Sequence, residues 1–80
     1  MNRDTVLEAI ARIAPDVEPE LDDLDPTVDL WNELQLDSMD RLSVLGHLAA
    51  TTRIEIPDRD AARLTSVDAI VEYVEAAAAG

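Results

Sequence analysis

Residues 15–37 set the strongest limit on how this chain can fold. The stretch holds three prolines, nine acids and no base, yet Val17, Leu21, Leu24, Val28, Leu30, Trp31, Leu34 and Leu36 recur along it. A disordered linker carries fewer apolar anchors than this. A connection of such length fits inside a compact domain only where it is functional and packed by its own side chains. Trp31, the only tryptophan, reads as a core or loop anchor rather than a platform for a ligand.

Helical patterns flank this stretch on both sides. Residues 4–14 place Val6, Leu7, Ile10, Ile13 and Ala14 on one apolar face, with Asp4 or Thr5 as cap, Thr5 and Glu8 in capping-box spacing, and Pro15 as the stop. Residues 38–52 predict a second helix with Met39, Leu42, Leu45, Leu48 and Ala49 turned inward. Gly46 interrupts it at a cost of about 1 kcal/mol relative to alanine, which suggests close helix packing. Residues 53–57 alternate like a strand but have no partner strand, so an extended loop is expected there. A helical turn over 58–63 follows. Thr65 or Ser66 then opens a last helix, with Thr65 and Asp68 in capping-box spacing and Val67, Ile70, Val71 and Val74 as its stripe. The Ala76–Ala79 run and Gly80 are expected to fray. Residues 1–80 predict a single domain that buries only about 60% of the surface its unfolded chain exposes.

Charge narrows the classes of partner. Eighteen acidic against six basic side chains give a net charge of −12, which repels nucleic-acid backbones and anionic membranes and favours basic protein surfaces. Without cysteine there is neither a disulfide framework nor a thiolate metal site. No apolar run reaches the roughly 18 residues of a membrane span, and no signal peptide is evident, so a cytoplasmic setting is expected. Asp22, Asp23 and Asp25 lack the glycine turn and distal glutamate of a calcium loop and read as a solvated acidic segment.

The chemistry points to Ser38. Asp37 is a strong N-cap residue, and Asp40 adds negative charge where the helix dipole is positive, so Ser38 belongs in the first turn of the 38–52 helix. A phosphate esterified to its hydroxyl would be stabilised there by unpaired amides and by the same dipole. Self-activation of this serine is excluded. The single histidine, His47, lies nine residues further on, about two and a half turns and 13 Å along the helix at the opposite azimuth. Ser38 therefore has to be acted upon by another enzyme, and the chain is not expected to be one itself.

Three motifs in register carry a resemblance over about residues 3–76. Leu36-Asp37-Ser38-Met39, Ile54-Glu55-Ile56-Pro57-Asp58 and Leu64-Thr65-Ser66-Val67 resemble the attachment signature, the loop after the second helix and the entry to the last helix of the acyl carrier proteins. The resemblance implies a small all-α four-helix bundle with a long first loop, one helical turn at Asp29–Leu34 within that loop, and a short third helix. It implies a 4′-phosphopantetheine arm from coenzyme A on Ser38, flanked by Asp37 and Met39, carrying acyl groups as thioesters for fatty-acid, polyketide or related biosynthesis. Gly46 then has a second reading, as room for a bound acyl group. Implied partners are a phosphopantetheinyl transferase and acyl-transferring or synthase enzymes with basic surfaces, meeting a monomeric carrier.

The departures from the family matter for those partners. Family members usually carry several acids along the second helix, whereas the matching positions here are Ser43, Ala49 and Ala50, and Arg41 cancels Asp40. Residues 38–52 have no net charge, while residues 16–37 carry −9 of the total −12. Recognition is thus expected to shift towards Asp22, Asp23 and Asp25, with Asp40 and Arg41 beside the attachment site. An aminoacyl or peptidyl carrier of D-alanyl or nonribosomal type is the alternative cargo class. An unmodified acidic helical adaptor is the alternative of another kind.

Overall fold

The computed structural model describes residues 2–79, which are mainly helical with no strand among them. The first helix, α1 (Arg3–Ile13), packs against both other long helices, α4 (Ser38–Thr52) and α6 (Val67–Ala79). A short α5 (Asp58–Ala61) completes the four-helix bundle. Val6, Ile10, Leu30, Val44, Leu48, Val67 and Ile70 are fully buried between these elements, each worth about 1.5–3 kcal/mol of apolar transfer.

The cap of α1 differs from expectation. Asn2 accepts a hydrogen bond from the Thr5 amide at 3.1 Å and another from the Thr5 hydroxyl at 3.2 Å, which displaces Asp4 or Thr5 as cap and the Thr5–Glu8 box. The helix starts earlier because Asn2 is itself a strong N-cap, and its first residue, Arg3, pairs with Asp68 on α6 through Nε at 2.8 Å. The same pair removes Asp68 from any box with Thr65. Instead Ser66 caps α6, its hydroxyl accepting from the Ala69 amide at 3.0 Å. That helix stays regular through Ala79, so the alanine run shows no loss of helix; Gly80 lies outside the described residues.

The long first loop holds more helix than the sequence suggested. A 3-10 turn (Pro15–Val17) runs into α2 (Glu18–Leu21), each with a proline in its first turn, where the missing amide leaves no bond unmade. The expected turn appears as α3 (Leu30–Glu33), capped by Asp29 through the Asn32 amide at 3.2 Å. Three bonds fasten the loop across the entry to α6. The Trp31 indole donates to the Leu64 carbonyl at 2.9 Å, Leu30 N–H to Thr65 at 2.8 Å, and Asp68 N–H to Pro26 at 3.0 Å. Trp31 is thus a buried anchor.

The α4 helix has the predicted bounds but a different inward face. Met39 and Leu42 are 72% and 54% exposed, whereas Val44 is buried beside Leu45 and Leu48. Steps of three residues fall about 60° short of a full turn, so from Met39 to Leu48 the series precesses about half-way round the helix. The core covers the arc of Val44, Leu45 and Leu48, and Met39 stands opposite it.

Candidate functional site

Ser38 is the first residue of α4 and is exposed. Asp37 before it is extended (φ −83°, ψ −179°), and its carboxylate accepts the Asp40 amide at 2.9 Å while its carbonyl accepts the Arg41 amide at 3.0 Å. The amides of Ser38 and Met39 precede these bonds, as the first donors of a helix do. A hydroxyl presented to solvent beside them suits an external group that brings negative charge.

The approach to Ser38 is fixed from behind. At the end of α3, Gln35 adopts the left-handed conformation (φ 55°); its amide donates to Asn32 at 3.2 Å, and the Leu36 amide donates to Trp31 at 2.8 Å. This pair of bonds is a Schellman closure. It links Ser38, three residues on, to the Trp31 anchor. Arg53 closes α4 in the same conformation (φ 60°), with the Ile54 amide donating to Ala49 at 3.2 Å. Neither position holds a glycine, so the sequence carried no signal for either turn.

The remaining predicted site residues fall into separate groups. Met39 stands exposed beside Ser38, and Asp40 and Arg41 are half-buried. Arg41 has an Nε that is out of water and has no hydrogen-bond partner among the described residues, a feature the sequence did not reveal. Gly46 is exposed, and a Cβ added to it would meet nothing within 4 Å. The close-packing reading of Gly46 is therefore wrong: the residue sits on the Met39 side of α4, away from the core. His47 lines an open cleft of about 780 Å³ with residues of α1, α2 and the residue after α2, among them Glu8, Arg12, Glu18 and Asp22. Neither Ser38 nor Gly46 lines this cleft.

Asp22, Asp23 and Asp25 are exposed at the end of α2 and just beyond it, and form no metal-ligating group among the described residues. Asp25 differs from the other two. It accepts the Thr27 amide at 2.8 Å and the Thr27 hydroxyl at 2.7 Å, and these bonds, the amide foremost, hold its carboxyl below the usual range.

The phosphopantetheine attachment site family matches residues 4–74 of this chain. The chain belongs to the acyl carrier protein family. It is 34% identical to the mitochondrial acyl carrier protein of Neurospora crassa over 76 residues, covering 92% of this chain and 57% of that relative. With the acyl carrier protein of Rubrobacter xylanophilus it shares 29% identity over 75 residues, covering 92% and 93% of the two chains. This carrier thus spans just over half the length of the Neurospora relative and nearly all of the bacterial one. No solved structure matches it significantly. Family membership implies a covalently attached 4′-phosphopantetheine. The carrier offers an exposed hydroxyl, leading amides and an uncommitted cation around Ser38, a set that fits a phosphodiester. None of its described helices is long and apolar enough to cross a membrane.

Proposed function

We propose that this chain carries acyl groups as thioesters on a 4′-phosphopantetheine arm esterified to Ser38, for fatty-acid, polyketide or related biosynthesis. The observation that carries the reading is the exposed Ser38 at the first position of α4, capped by Asp37 within Leu36-Asp37-Ser38-Met39 and inside the family match. When attached, the arm supplies the terminal thiol for the thioester. The chain's own residues do simpler work: Asp37 fixes the helix start, the Ser38 and Met39 amides face the ester phosphate, and the Trp31 anchor holds the segment in register. His47 lies across and along α4 from Ser38, so the chain is read as a carrier acted on by enzymes rather than as one of them.

A phosphopantetheinyl transferase and acyl-transferring enzymes with basic surfaces are the proposed partners of a monomeric, single-domain carrier. Asp22, Asp23 and Asp25 supply the long-range attraction, and Met39, Asp40 and Arg41 the local contact. A cytoplasmic setting is proposed; the mitochondrial relative makes the mitochondrion the alternative, which cell fractionation would decide.

Incubation with coenzyme A and a broad-specificity transferase, followed by mass spectrometry, tests the reading. A gain of one phosphopantetheine should appear, and Ser38→Ala should abolish it with helicity and melting nearly unchanged, because Asp37 still caps α4. A gain that persists in Ser38→Ala would refute the attachment site. No gain in the wild type would favour an unmodified adaptor.

A further inference from the structure

We infer that Arg41 is the counter-ion of the phosphodiester that joins the arm to Ser38, an inference that rests on the attachment reading above. At about 100° and 1.5 Å per residue, Arg41 lies about 60° around α4 from Ser38 and about 4.5 Å further along it. Long helical side chains lean back over the turn that precedes their own Cα. By this rule the Arg41 side chain leans towards the turn that opens with Asp37 and Ser38. Its azimuth is also that of Leu45 and Leu48, which accounts for its half-burial at the end of the core stripe.

Among the described residues no side chain pairs with this guanidinium. Its Nε is out of water with no acceptor, a state that calls for an explanation in a native fold. The ion pairs among the described residues join Arg3 to Asp68 and Arg63 to Asp60, and leave Arg41 out although Asp37 and Asp40 are within a turn of it. The Asp37 carboxylate is instead directed at the Asp40 amide. Arg41 is also the only arginine or lysine between Arg12 and Arg53, so α4 has no second arginine or lysine to take its place.

A phosphodiester on the Ser38 oxygen supplies what is missing. It carries a single negative charge, and its non-bridging oxygens match the Nε–H and Nη–H edge of a guanidinium. A swing of the Arg41 side chain would bring that edge to the phosphate, with the Ser38 and Met39 amides at the helix end beside it. Such a contact holds the root of the arm against α4 and leaves the rest of it free to reach enzymes.

The test uses the whole chain as wild type, Arg41→Gln and Arg41→Lys, each loaded on Ser38 and checked by mass and by helicity. In wild type the ³¹P resonance should be displaced from its position in the urea-unfolded loaded protein, and the Arg41 Nε–H resonance should move on loading. Arg41→Gln should lose most of the ³¹P displacement, Arg41→Lys should keep part of it, and added salt should shrink it in wild type. Equal ³¹P positions in fully loaded, folded wild type and Arg41→Gln would overturn this inference and leave attachment standing. Failure of wild type to load would instead overturn the attachment reading and this inference with it.

Discussion

Tyr73 donates its hydroxyl to one carboxylate oxygen of Asp60 at 2.8 Å, while Arg63 binds the other at 2.7 Å. The four-residue α5 has no side-chain cap of its own, so this contact is a main tie between it and α6. The Tyr73 bond, more than the nearby arginines, holds the Asp60 carboxyl below the usual range, and the same bond raises the Tyr73 phenol. Because the folded value for Asp60 is depressed, its contribution is present above the ordinary carboxylate range near about pH 4 and is lost as pH falls through the lowered value. Tyr73→Phe should melt lower than wild type at neutral pH. The difference should narrow in strongly acidic solution, which thermal melts across pH would show. A constant difference at all pH values would mean that the ring packing, not the hydrogen bond, is what the variant lost.

Substitution of Gly46 should strengthen α4. The position is helical and exposed and has open space for a Cβ, so Gly46→Ala should raise stability by up to about 1 kcal/mol through helix propensity alone. Urea denaturation measures this. Loading at Ser38 should be unaffected, and destabilisation would show that α4 needs the glycine for a contact made only in another state.

The left-handed residues should respond in the opposite sense to most helix-end changes. A side chain at positive φ costs about 1–2 kcal/mol relative to glycine, partly offset by the greater freedom that glycine has when unfolded. Gln35→Gly and Arg53→Gly should therefore be stabilising by up to about 1 kcal/mol in urea titrations. Gln35→Val should be destabilising and should disturb the turn that leads into Ser38.

Charge on the first loop should govern the rate of encounter with partners. Asp22 and Asp23 are exposed, whereas Asp25 is also bonded to Thr27, so the clean variant is Asp22→Asn with Asp23→Asn. It should slow association with the cognate transferase and flatten the salt dependence, since exposed charges act over a Debye length of about 8 Å at physiological ionic strength. Asp40→Asn should change that slope less. Stopped-flow rates against ionic strength decide between the two, and a larger effect from Asp40 would return recognition to α4.

Features set by neighbours in sequence were legible before the fold was known. Asp37 caps α4 through an amide three residues away, so the start of that helix, and with it Ser38 in a first turn, followed from residue types alone. What the tertiary structure decided concerns azimuth and long-range partners. The apolar series from Met39 to Leu48 winds about half-way round its helix, and only the position of α1 determines which arc is covered; that put Val44 inside and left Met39, Leu42 and Gly46 outside. Asp68 is engaged by Arg3, sixty-five residues away, rather than by Thr65, and Trp31 is an anchor because the Leu64 carbonyl lies within its reach. Arg41 shows the limit most plainly. Its position beside Ser38 is written in the sequence, but its unpartnered Nε is a product of packing, because burial depends on which elements close over a residue rather than on the residue itself.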